Sequence, residues 1–165
     1  MTIATMPTEF GFLPAVASWH RDMGRVASEA LVDPRPCPDE QTPDADVQLR
    51  PILASGEKIR EKLKGCSIEV DVAIDEEMEA RLRGIGSRIE EDLVDYTAMQ
   101  ESLRTLRQRM EHNEHESVPI VCAAERVVAD IVTESRRVQR EAYEAATVGR
   151  LLRVHHGTLV ELASL

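Results

Sequence analysis

The sequence predicts an all-α protein: an antiparallel hairpin of two long, coiled-coil-like helices with two shorter N-terminal helices, together an elongated helical bundle. Three observations carry this. Two apolar stripes, from Met78 to Met110 and from Val121 to Leu152, advance by three or four residues at a time, the spacing that holds side chains on one face of a helix. Only a few polar residues separate the stripes, so the second helix is expected to fold back on the first. Aromatic residues make up 3% of the 165-residue chain and charged residues 30%, a composition that suits a thin aliphatic seam between surface-rich helices better than a thick core of large rings.

Residues 1–13 read as an irregular lead. Pro14 fits the first turn of a helix, where its missing N–H costs nothing, and Val16, Trp19, Met23, Val26, Ala30 and Leu31 follow at helical spacing, so a first helix is expected over 14–32. Residues 33–46 hold four prolines and five acidic residues, which exclude a regular element and mark a linker. The chain therefore divides into 1–32, a lead and helix; 33–46, a Pro-rich acidic linker; and 47–165, a helical hairpin domain ending in an apolar tail.

A second helix is expected from Asp46 or Val47 to Lys64, with Pro51 as a later alternative start and Gly65 as its stop. Its apolar residues are Ile52, Leu53, Ile59 and Leu63. Residues 68–74, Ile-Glu-Val-Asp-Val-Ala-Ile, alternate with period two. That pattern fits an extended lead into the next helix, or an edge strand that pairs with a partner.

The third helix is expected over 75–115, lined by Met78, Leu82, Ile85, Ile89, Leu93, Tyr96, Met99, Leu103, Leu106 and Met110. Asp75 is its N-cap, and Glu76, Glu77 and Glu79 occupy the first turn, where the helix dipole favours anions. Gly84 and Gly86 each cost about 1 kcal/mol relative to alanine inside a helix; they are either a tolerated weak spot or the mark of a bend or close helix contact. Ser117 and Pro119 restart the chain as a fourth helix. Its seam runs through Val121, Ala124, Val128, Ile131, Ser135, Val138, Ala142, Ala145, Gly149 and Leu152, widened by Val127 and Val132 as a helix with two neighbours requires. His155-His156-Gly157 is expected to break it, leaving an apolar tail with Leu159, Val160, Leu162 and Leu165. Folding back near residues 115–117 places Leu82 opposite Gly149, Ile89 opposite Ala142, Leu93 opposite Val138 and Leu103 opposite Val128, large against small.

The formal net charge is −10. It is concentrated in two segments, 33–46 and 69–79, the second holding six acidic residues and no base. No basic stripe is present for a phosphate backbone, so direct nucleic-acid binding is not expected. The three cysteines, Cys37, Cys66 and Cys122, lack CxxC spacing and form no disulfide framework, which with the absence of a recognisable leader or membrane-length apolar run points to a reducing, intracellular location, cytoplasmic or nuclear. No nucleophile elbow, phosphate loop or dinucleotide fingerprint occurs, and no cofactor is expected. His112 and His115 have a spacing that brings two imidazoles to one face, but no second ligand pair accompanies them; they read as a polar turn. Arg104, Arg107, Arg109, Arg136, Arg137 and Arg140 are interleaved with glutamates and read as ion-pairing residues.

These features lead to the expectation of a non-enzymatic interaction or scaffold subunit of a multiprotein complex. A small acidic helical chaperone or adaptor that binds a client segment is the alternative, and a helical-bundle metal protein or enzyme a third. Trp19, Met23, Val26 and Leu31 on the first helix and Leu159 and Leu162 in the tail are expected to contact helical partners, and Glu69, Asp71, Glu76 and Glu77 to form an acidic contact. Hetero-oligomers are favoured over a homodimer, because two copies of the acidic 69–79 segment would repel one another.

Overall fold

The computed structural model describes residues 45–112 and 118–165. The expected helix at 14–32, the linker over 33–44 and the polar turn at 113–117 lie outside the described residues. Within them every regular element is an α-helix: α1 spans Ala45–Gly65, α2 Glu76–His112 and α3 Val118–Ala163. The protein is all-α. At a rise of 1.5 Å per residue α2 is about 55 Å long and α3 about 69 Å.

α1 starts ahead of Pro51, which lies inside the helix and not at its beginning. Pro51 donates no hydrogen bond to the preceding turn, while Ser55 Oγ donates to the Pro51 carbonyl at 3.1 Å. At the other end Lys62 and Lys64 stand in the last turn, where the dipole favours cations, and Gly65 is the final residue. α2 begins as its sequence directs: the Met78 N–H donates to Asp75 Oδ1 at 2.7 Å, and three glutamates fill the first turn.

α3 is the spine on which the other elements lie. Glu79 pairs with Arg153, Glu90 with Tyr143, and Arg107 with Glu125, so α2 runs antiparallel to α3. Arg60 pairs with Asp130, and the Arg137 guanidinium donates to the Leu63 carbonyl at 2.8 Å, so α1 runs parallel to α3 beside its first half. Residues 66–75 then continue in the same direction as a non-helical strap. The Ile68 N–H donates to Glu141 Oε2 at 3.1 Å and the Ile74 N–H to the Gly149 carbonyl at 3.4 Å. Ile68 and Ile74 are buried against α3 while Glu69, Asp71 and Ala73 face out, and Val72, in phase with the two isoleucines, is exposed as well. No strand occurs among the described residues.

The core is one cluster that changes character along α3. Near the turn end Ile120, Val121, Val127, Val128, Ile131 and Val132 are buried, wide enough a stripe to receive both α1 and α2. Toward the far end the buried positions are Ser135, Val138, Ala142, Ala145, Ala146 and Gly149. Against them α2 sets larger side chains, Leu82, Ile89, Tyr96 and Met99. Along this half it is the strap that lies on the second side of α3.

Two glycines let neighbours come close. A Cβ at Gly86 would stand 2.7 Å from the Tyr143 ring, and one at Gly149 would overlap the Ile74 side chain. Gly86 is therefore a close-contact position, whereas Gly84 faces open space. Gly149 is covered by Ile74. The expected break at His155-His156-Gly157 is absent: α3 continues to Ala163. A single glycine costs a helix only about 1 kcal/mol, and the good helix formers Leu159, Glu161 and Leu162 follow it without a proline.

Candidate interaction surface

Beyond Arg153 nothing in the described chain covers α3. Every residue from Val154 to Leu165 is exposed, because α2 begins at the level of Arg153 and runs the other way. Arg153 is the last anchor. Its guanidinium donates to the Ile74 carbonyl at 2.9 Å and to Glu79 Oε2 at 2.7 Å, tying strap, α2 and α3 together at one point. This pairing, with Arg83 adding to it, holds the Glu79 carboxyl below its ordinary value.

The free end of α3 is amphipathic. Val148, Leu151, Val154, Leu159, Leu162 and Leu165 are all exposed, with Leu151 at 61% and Leu162 at 62%. At 100° per residue the five within α3 fall on one stripe, about 150° round the helix from the seam that holds α2, and Leu165 lies past the helix end. His155 and Thr158 lie within that stripe; Arg150, Gly157 and Glu161 lie off it. Isolated surface leucines are ordinary, but a contiguous row along about four helical turns is the mark of a docking surface.

Of the residues expected to meet partners, Leu159 and Leu162 are thus exposed on one continuous stripe, and Trp19, Met23, Val26 and Leu31 lie outside the described residues. Glu69, Asp71, Glu76 and Glu77 are all exposed, strung along the strap and the first turn of α2; Glu77 pairs with Arg81 at 2.5 Å. Sequence reading of the tail missed Val148, Leu151 and Val154, because the supposed break at 155–157 cut the stripe in two. The signal was present in the three-residue steps on both sides of that point.

A second depression lies between α2 and α3 near the turn, lined by Gln100, Arg104, Arg107, Cys122, Glu125 and Arg126. Two of its three cations are answered internally. Arg107 donates to Glu125 at 2.6 Å and to Glu111 at 3.0 Å, which raise its pKa further, and Arg104 pairs with Glu101 at 3.1 Å. Likewise Arg137 lies between Glu134 and Glu141, each at 2.8 Å. Among the described residues no three His, Cys, Asp or Glu side chains converge as metal ligands, and no helix is long and apolar enough to cross a membrane. Comparison with protein-family models, curated proteins and solved structures finds no match to this chain.

Proposed function

We propose that this protein is a non-enzymatic interaction or scaffold subunit whose α3 tail docks another helix. The single observation that carries the reading is the apolar stripe from Val148 to Leu162, uncovered among the described residues, on a helix that projects past the described part of the bundle. In this reading the antiparallel α2–α3 pair is a stiff coiled-coil-like stem, and the arginine–glutamate pairs along it hold the stem in register. The partners are helical proteins in a reducing intracellular compartment, and neither nucleic acid nor a membrane is engaged.

The test compares the full-length chain with a Leu159→Glu/Leu162→Glu variant. Both substituted positions are exposed, so folding is expected to persist. The wild type should bind a hydrophobic dye or co-purify with a defined partner that the variant loses. Equal dye binding and identical co-purifying proteins for the two chains would overturn the reading. The alternative, an acidic helical chaperone or adaptor, draws support from the exposed Glu69, Asp71, Glu76 and Glu77 beside the base of the tail. It requires suppression of client aggregation that falls when these four residues are neutralised.

A further inference from the structure

The exposed stripe on α3 has an internal symmetry. Leu151 and Leu162, Val154 and Leu159, and His155 and Thr158 stand at equal distances from the point between His156 and Gly157. A stripe with mirror-related positions is complementary to itself when a second helix lies across it in the opposite direction. We propose that the occupant of this surface is a second copy of the same chain, forming an isologous, antiparallel two-helix interface with its two-fold axis between His156 and Gly157. This rests on the reading of the tail as a docking surface and names its partner.

Two further observations favour a second copy. The first is charge. Arg150 and Glu161 flank the stripe on the same side, and in an antiparallel pair like flanks meet. The register that matches the apolar residues sets Arg150 within about two residues of the level of Glu161 in the second copy, twice over by symmetry.

The second removes the objection to a homodimer. α2 and the end of the strap lie on the face of α3 turned away from the stripe, so two helix diameters, about 20 Å, separate the acidic segments of the two copies. At physiological ionic strength charges are screened beyond about 8 Å. Repulsion between the two 69–79 segments therefore does not oppose this arrangement, and the hetero-partner preference read from charge alone loses its ground.

Light scattering across a concentration series tests the proposal. The wild-type chain should rise toward twice its 18.5 kDa mass, and Leu159→Glu/Leu162→Glu should weaken association more than about a hundredfold, because four carboxylates enter one apolar interface. Register is read by mixing two differently tagged chains, one Leu151→Cys and the other Leu162→Cys, in a background whose native cysteines are replaced. Disulfides between positions 151 and 162 should predominate. A 151–151 disulfide, about 16 Å apart in the proposed register, would overturn it in favour of a parallel pair. A wild-type dimer unaffected by the glutamates would place the interface elsewhere and refute both this proposal and the docking role of the tail. A wild type that stays monomeric while losing dye binding on substitution would refute the second copy alone and leave the tail as a surface for a different helix. Monomers that bind anionic vesicles through the same leucines would replace the protein partner with a lipid surface.

Discussion

Substituting alanine for Gly149 should destabilise the protein even though it improves the helix. In an isolated helix the change gains about 1 kcal/mol. Here the new Cβ would overlap the Ile74 side chain, which is 9% exposed and whose N–H donates to the Gly149 carbonyl. Ile74 cannot move aside as a free side-chain tip would, since its carbonyl is also held by Arg153. Displacing it forfeits most of an isoleucine's burial, roughly 2–3 kcal/mol. The net cost should be about 1–2 kcal/mol, read as a lower urea midpoint at unchanged slope. The decisive measurement is the same substitution in an Ile74→Ala background. With the bulk removed, Gly149→Ala should become stabilising by about 0.5–1 kcal/mol, a coupling of roughly 2–3 kcal/mol between the two sites. A stabilising Gly149→Ala in both backgrounds would show that the strap does not press on α3 there.

Three further outcomes follow from the core and the strap anchor. Val138→Asp buries an unpaired carboxylate in the seam and should cost about 3–5 kcal/mol, enough to lose the cooperative thermal transition; a variant within 1 kcal/mol of wild type would mean that the seam is wet. The Arg153 pair, with Arg83, depresses the Glu79 carboxyl, so its stabilisation is present at neutral pH and lost as pH falls through its folded value; Glu79→Gln should lower stability at pH 7 and converge with wild type in acid, and parallel pH profiles would count against the anchor. Burial, reinforced by Asp92, raises the Tyr96 phenol above its ordinary 10.0, so stability should fall as pH climbs past that value, where the unfolded chain ionises first. Tyr96→Phe should remove that alkaline limb, and an unchanged limb would assign it to other groups.

How much of this was legible in the sequence depends on whether the cause was local. The all-α class, the Asp75 cap and the widened stripe at Val127 and Val132 all rest on periodicity or on groups a few residues apart. The course of the strap, and the roles of Gly86 and Gly149, depend on Tyr143 and Ile74, more than fifty residues away in the chain, and no spacing rule points to them. The extension of α3 through Gly157 was misread for the opposite reason. A local breaker signal, His-His-Gly, was weighed as decisive against a helical pattern that resumes with the same phase on its far side. Of the candidate contact residues, Leu159 and Leu162 were recognised as apolar, but their membership in one stripe with Val148 and Leu151 depends on the helix being unbroken.

The two neighbours of α3 join it at very different distances along the chain. α2 and α3 meet through pairs as close as Arg107 and Glu125, eighteen residues apart, whereas Arg60 reaches Asp130 across seventy and Arg137 reaches the Leu63 carbonyl across seventy-four. Closing the longer loops costs about 1 kcal/mol more in chain entropy, so α2 and α3 should form first and α1 add itself to a surface already made. The same order runs backward under stress. α1 should open as a separate unit of lower stability, baring the side of α3 around Asp130 and Arg137 while the α2–α3 pair stays closed, and its amides should exchange hydrogen faster than those at Tyr96 and Val138; equal exchange rates throughout would make the molecule a single cooperative block. Release of α1 would thus present a second apolar surface at the end of the rod opposite the tail, one that exists only in the partly opened protein.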